Sequence, residues 1–274
     1  MTLEKISNIS NPKEKELSIQ VSLSGLSFCV LNPIKKSTEE LQYYRFRNID
    51  NPNKLLNEII PLFDNAPDFK SLKKIKVLHS NDLSSVVPKN LFDENKLSDY
   101  LKYNIKILKN DFIAYDTIAN GEIINVYVPY VNVNNFLLDQ LGPFEYQHSS
   151  SILIDTLIKN TLLDEKPIMY IHVEQTHFEV IVIQNKKLVF YNTFHYQTKE
   201  DFIYYILFTA EQLKLDPEEF HLRFLGVIAE HDANYQMAYK YIRHITIEND
   251  AFHNYSENSS PNNLFSDFIL QNAF

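Results

Sequence analysis

Apolar and polar residues alternate from Leu17 onward in "LSIQVSLSGLSFCVLNPIKK", the alternation breaks at Ser24-Gly25 and again at Asn32-Pro33, and "LQYYRFRNI" continues it. A side-chain period of two belongs to a half-buried strand, and Gly and Pro punctuate such runs. The stretch therefore predicts a three-stranded antiparallel meander. Residues 168–194, "IMYIHVEQTHFEVIVIQNKKLVFYNTF", repeat the shape. With Val21 laid on Val173, Leu26, Phe28 and Val30 fall on Phe178, Val180 and Val182, and Lys35-Lys36 falls beside Lys186-Lys187. After each meander the period lengthens. "NPNKLLNEIIPLF" and "TKEDFIYYILFTAEQLKL" space their apolar residues for helices, opened by Asn51-Pro52 and by Thr198. A strand follows each, "KKIKVLHSN" in one case and "FHLRFLGVI" in the other. The order predicts a duplicated β-β-β-α-β unit, with residues 17–110 and 167–247 as its two copies.

Between the copies, Ala114–Asp116 and Glu122–Tyr130 read as strands about the hairpin signal Asn120-Gly121. Asn132 or Asn134 is expected to cap a helix that runs through Leu141 and ends at Gly142, and "FEYQHSSSILIDTLIKN" reads as a strand passing into a helix. The resulting division is a flexible leader over 1–16, a first lobe with an inserted strand–helix subdomain over 17–166, a second lobe over 167–248 and a mostly mobile tail over 249–274.

Composition narrows the partners. The chain has 274 residues, 45% of them hydrophobic, enough for a sizeable core. A formal net charge of -9 gives no basic face for nucleic acid and disfavours an anionic membrane surface. The single cysteine, Cys29, lies in an apolar run and reads as a buried thiol in a reducing compartment. No apolar run approaches the roughly 18 residues of a membrane span, and the first residues lack a signal-peptide core, so a cytoplasmic location without membrane insertion is expected. A homo-oligomer is compatible with the sequence.

The candidate chemistry is sparse. His172, Glu174 and His177 in "HVEQTH" are metal-ligand types, but a helical zinc motif needs histidines at i and i+4 on one helix face. They read as solvent-facing hairpin residues, and no metal site is expected. In "AEHDANYQMAYKYIRH", Glu230, His231 and Asp232 offer acid–base groups, yet Asp232 stands where a helix N-cap belongs. Ser149–Ser151 after His148 lack a Gly-bounded nucleophile turn. Many of the 17 Tyr and 19 Phe serve the core, yet "YYRF" and "FIYYILF" are dense enough to supply a partner surface.

The element order resembles the actin, Hsp70 and sugar-kinase superfamily. That resemblance implies a two-lobed, actin-like (ribonuclease H-like) α/β fold of duplicated β-β-β-α-β units. The run "INVYVPYVNVNNFLLDQLGPFEYQHSSSILIDTLIKN" is similar to the corresponding part of PilM-like pilus-assembly proteins and of the cytoplasmic L-type subunits of type II secretion. A bacterial family of uncharacterised actin-like proteins fits as well. The likeness covers about residues 17–247 and rests on element order rather than on identical residues.

For a bound nucleotide, the resemblance implies contacts at Ser24 and Gly25 in a first phosphate turn, at Glu174, Gln175 and Thr176 in a second, and at Gly226 in an adenosine turn. All three motifs are eroded. No carboxylate stands at Val21 or Ser22, the second turn has no glycine, and Gly226 lacks its usual Gly partner. A β-carbon at Gln175, Thr176 or His177 crowds a phosphate, while Glu174 and Glu179 repel it. The expectation is a non-catalytic, pseudo-ATPase scaffold or adaptor for a protein partner, without cofactor. The alternative is an active ATPase or small-molecule kinase with atypical phosphate loops, using ATP with Mg and a carboxylate from Glu174 or Asp232. A metal-dependent hydrolase using the histidines is a third reading.

Overall fold

A computed structural model describes residues 12–35, 37–64, 69–103, 105, 107–108, 111–163, 166–175, 177–248 and 268–274. The first meander forms β1 (Glu16–Ser22), β2 (Gly25–Asn32) and β3 (Ser37–Arg45), followed by α1 (Pro52–Phe63) and β4 (Lys74–His79). Next come β5 (Ser84–Pro88), α2 (Leu97–Leu101), β6 (Ala114–Ile118) and β7 (Ile123–Tyr127), then α3 (Val131–Leu141), β8 (Glu145–His148) and α4 (Ser149–Asn160). The second copy comprises β9 (Ile168–Val173), β10 (His177–Gln184), β11 (Lys187–His195), α5 (Lys199–Gln212) and β12 (His221–Gly226). It continues through α6 (Ala233–Tyr239) and β13 (His244–Ile247), and α7 (Phe268–Gln271) lies near the C-terminus.

Two five-stranded sheets have the same topology, β3-β2-β1-β4-β8 and β11-β10-β9-β12-β13, and β5-β7-β6 form a smaller antiparallel sheet. The meander strands pair antiparallel, whereas β4, β8, β12 and β13 join parallel, as a helical crossover requires. The duplication extends to register. Val21 faces Leu26 and Val173 faces Phe178, while the second hairpin of each copy carries a bulge between Val30/Leu31 and between Val182/Ile183. β1 and β9 are central in their sheets.

Each sheet buries one face beneath helices. In the first, Leu17, Ile19, Val21, Phe28 and Val30 pack with Leu55 and Ile59 of α1 and with Val133 and Leu137 of α3. In the second, Met169, Ile171, Val173, Phe178 and Val180 pack with Phe202 and Ile206 of α5 and with Tyr235 and Ala238 of α6. Asn51 caps α1 by accepting from the Asn53 and Lys54 N–H groups, and Thr198 opens α5 with a reciprocal capping box to Asp201.

Three local details depart from the sequence expectation. Tyr130, not Asn132 or Asn134, is the N-cap of α3, because both asparagines are inside the helix with their side chains engaged by Pro52 and His79. Asp232 is the N-cap of α6, but its carboxylate accepts from the Ala229 N–H rather than from the helix. At the leader's end, Lys15 is buried and pairs with Glu39, and β1 begins at Glu16.

The described residues divide into two compact units, 12–153 with 269–274 and 154–248 with Phe268, so the division falls inside α4 rather than near residue 166. Residues 1–11 of the expected leader and 249–267 of the expected tail lie outside the described residues. Farther on, Leu270 packs with Cys29 and Leu31, and its carbonyl accepts from Ser18 Oγ at 2.8 Å. Cys29, the single cysteine of the chain, is buried, as its apolar setting predicts.

Candidate functional site

The first turn of each copy is where the superfamily resemblance directs attention. In the first unit, Ser22 faces Gly25 at the tip of β1 and β2. Ser22 Oγ accepts the Gly25 N–H at 3.1 Å, Ser24 Oγ lies 2.9 Å from Ser22 Oγ, and the Ser24 carbonyl accepts from Phe46 N–H at 2.9 Å. Gly25 is required by close approach: a β-carbon there would stand 2.5 Å from the Tyr44 carbonyl oxygen of β3. The turn's own polar groups thus satisfy one another.

In the second unit, the Glu174 N–H donates to the His177 carbonyl at 3.0 Å, which engages a backbone donor that a phosphate would need. Gly226 pairs with Val173, and a β-carbon at Gly226 would stand 3.2 Å from the His172 ring. Of the sequence candidates, the fold therefore gathers Glu174 and Gly226 around His172. Gln175 follows, its Nε2 buried without a hydrogen-bond partner among the described residues. Thr176 lies outside the described residues, and Ser24 and Gly25 belong to the first unit.

The side chains expected to be solvent-facing at this turn are largely buried. His172 is 0% exposed and Glu174 16%. His172 Nδ1 lies 2.8 Å from Glu179 Oε2, Tyr191 Oη donates to Glu179 Oε1 at 2.7 Å, and His172 Nε2 is 3.9 Å from Glu174 Oε1. The reason is pairing: His172 stands opposite Glu179 across β9 and β10, so both point to the same face. Burial pushes the imidazole down, but the Glu179 hydrogen bond and the two carboxylate charges outweigh it and hold His172 above its ordinary range. Burial raises Glu179 too, yet the hydrogen bonds from His172 and Tyr191 leave it below the usual carboxylate range. Glu174 has no short side-chain partner among the described residues and is raised by burial and by Glu179. Two carboxylates around one imidazole, a turn without glycine and an engaged N–H group do not fit a magnesium-bound phosphate.

A second buried polar cluster joins His148, Ser150 and Ser151 to Asp116 and Asn125, two residues that the sequence does not single out. Asp116 of β6 accepts from Ser151 Oγ at 2.6 Å, from the His148 N–H at 2.8 Å and from Tyr127 Oη at 3.2 Å. Asn125 Nδ2 donates to Ser150 Oγ and Ser151 Oγ, and Ser150 Oγ lies 2.7 Å from His148 Nδ1. Burial raises Asp116 against these hydrogen bonds. Ser149–Ser151, considered above as nucleophiles, are buried and tie the start of α4 to β6 and β7. In sequence, Asp116 and Asn125 are only polar positions in strand runs, so the signal available there was a carboxylate and an amide at positions facing the interior.

His79 ends β4 in the same unit and is fully buried. Its Nδ1 accepts from the Tyr130 N–H at 3.3 Å, so Nε2 donates to Asn134 Oδ1 at 3.0 Å. Burial, then the neighbouring His148, pulls His79 down to about 3. The unfolded chain, with an ordinary histidine near 6.5, binds more protons between those values, so this contribution to stability is complete above about pH 6.5 and falls by up to about 1.4 kcal/mol per pH unit toward pH 3. Urea midpoints are expected to drop between pH 7 and pH 5, and His79→Gln to flatten that part of the slope. An unchanged slope in the variant would assign the effect elsewhere.

Among the described residues, exposed apolar side chains gather on each unit. A pocket of about 280 Å³ in the first unit is lined by Phe112, Pro129, Val131, Asn135, Leu138 and Phe144. Phe112 is 54% and Leu138 50% exposed. On α5, Tyr204 and Phe208 stack at 5.8 Å on the outer face, whereas Tyr205 stacks on Phe194 at 4.7 Å and belongs to the core. Among the described residues no group of three or more potential ligands converges on a metal position, and no helix is long and apolar enough to cross a membrane.

A family model described as "Protein of unknown function (DUF3822)" matches residues 4–245. The chain is similar to a Bacteroides thetaiotaomicron VPI-5482 protein with an actin-like ATPase fold and unknown function, at 21% identity and a TM-score of 0.77 over 91% of this chain and 95% of that one. It is similar to a chain of the PilM–PilN type IV pilus biogenesis complex at 11% identity, TM-score 0.51, over 86% and 88% of the two chains. The cytoplasmic domain of EpsL, an inner membrane component of the Vibrio cholerae type II secretion system, matches at 12% identity, TM-score 0.43, over 94% of each chain. No curated protein matches the sequence. The fold is actin-like, in agreement with the element order.

Proposed function

The chain belongs to the DUF3822 family of proteins of unknown function, and we propose that it acts as a nucleotide-independent, non-catalytic scaffold or adaptor in the cytoplasm that binds a protein partner. The observation that carries this reading is the network of His172, Glu174, Glu179 and Tyr191 beside the turn where the fold's relatives would hold phosphate. Its charges face one another rather than a ligand. An actin-like chain is also present in the PilM–PilN complex, which supports use of the frame in a protein assembly. The pocket on the first unit is the contact we favour. Its size suits two or three apolar side chains, and the exposed Asn135 amide offers a donor and an acceptor to a partner's backbone. The stripe of Tyr204 and Phe208 offers one phenolic hydroxyl and no side-chain amide.

The test has two arms. Millimolar Mg-ATP or Mg-ADP is expected to move the melting temperature by less than about 1 °C, because a ligand near or below its dissociation constant stabilises weakly. A saturable shift of several degrees would overturn the nucleotide-independent reading and favour the enzyme. In complementation of a deletion strain, folded Phe112→Asp plus Leu138→Asp is expected to fail, with expression matched to the wild type. Failure of Tyr204→Ala plus Phe208→Ala instead would move the contact to α5, and full activity of both variants would sink the partner-surface reading.

A further inference from the structure

Four of the nine histidines face one another directly across neighbouring strands of the second sheet: His177 and His195 on β10 and β11, His221 and His244 on β12 and β13. Directly opposed residues hold their Cβ atoms about 4.5–5.5 Å apart, close enough for two imidazoles to share one ion. The two pairs differ in ring geometry. His221 and His244 are stacked, with centroids 5.1 Å apart and planes inclined by 17°. An imidazole binds metal in its own plane through a nitrogen lone pair, and near-parallel stacked planes cannot both contain the same ion.

The planes of His177 and His195 are inclined by 51°, with centroids 5.7 Å apart, so they meet in a line on which an ion can lie. A metal–nitrogen bond of about 2.1 Å puts the ion about 3.2 Å from each centroid, which allows two bound rings to be separated by up to about 6.4 Å. The observed separation is within that limit, at a nitrogen–metal–nitrogen angle of about 125° from the same distances. Charge favours this pair as well. Glu179 is two residues along β10 on the same face, and Glu174 is joined to His177 through the backbone. By contrast, Arg223 stands two residues along β12 from His221. His195 is exposed and His177 half-buried, which leaves an approach from solvent.

We propose that His177 and His195 form a two-imidazole site for a late first-row divalent ion, Cu²⁺, Ni²⁺ or Zn²⁺, with water completing the coordination shell. No third protein ligand converges there among the described residues. The ion is therefore held by a chelating pair with open positions, and affinity follows the order in which Cu²⁺ exceeds Ni²⁺ and Zn²⁺. The site is independent of the scaffold reading and stands or falls without it.

The experiment is calorimetric titration of the full chain with Ni²⁺ or Zn²⁺ alone at pH 7.5. One saturable site is expected. His177→Ala and His195→Ala should each weaken it at least tenfold, and the double variant His221→Ala with His244→Ala should leave it unchanged. His195→Gln, a change at an exposed position, guards against misfolding as the cause, with thermal unfolding of each variant compared without metal. Absence of saturable binding, binding that survives the loss of either His177 or His195, or loss in the His221/His244 double variant would overturn the assignment.

Discussion

Gly226→Ala is expected to destabilise the protein by about 3 kcal/mol or more in urea denaturation, a cost at the upper end for a single added methyl. Gly226 has φ +86, in the region that L residues rarely adopt, and its β-carbon would stand 2.3 Å from the Val173 carbonyl oxygen and 3.1 Å from the Val173 nitrogen. These are backbone atoms and cannot rotate away. Relief requires β12 to move from β9 where Val227 N–H donates to that same carbonyl at 2.8 Å, so strain and a lost hydrogen bond add. Gly121→Ala provides the control. Its φ is +90, but the nearest atom to an added β-carbon is a Thr117 methyl at 3.9 Å, so only the conformational cost of about 1 kcal/mol applies. Equal effects in the two variants would show that the close approach to Val173 is not the source.

The contrast between these glycines shows what the chain disclosed before its structure did. Element order and phase were legible because strand periodicity and its Gly and Pro breaks are local: aligning Val21 with Val173 anticipated the shared registers. Gly226 could be placed at a strand end, but its constraint comes from Val173, more than fifty positions earlier in the chain. The same is true of the polar sites. His172 and Glu179 meet because the hairpin pairs them, while Asp116, Asn125 and Ser151 meet through tertiary packing of β6, β7 and α4. None of these encounters has a spacing in sequence. Polarity alone points His172 outward, whereas its cross-strand pairing with Glu179 lets both be buried.

Glu179→Gln is expected to cost about 3 kcal/mol in urea denaturation at neutral pH, whereas Glu174→Gln, in the same buried network, should change stability by less than about 1 kcal/mol. Glu179 holds His172 Nδ1 at 2.8 Å and receives the Tyr191 hydroxyl at 2.7 Å, and these bonds keep it ionised despite burial. Neutralising it removes the short charged partner of the His172 imidazole, whose charged form it supports, while Glu174 stays 3.9 Å away. Breaking a buried pair on one side is costly because the other charge stays desolvated. Glu174 is the opposite case. Its carboxylate makes no short bond among the described residues, and burial together with Glu179 raises its pKa, so removing its charge relieves a like-charge contact while giving up one long attraction. Should Glu174→Gln prove the costlier change, Glu174 would be the principal partner of His172 and Glu179 the redundant one. The carboxylate nearest the turn would then be a fixed part of the fold, and the self-neutralised network could no longer be the argument against phosphate there.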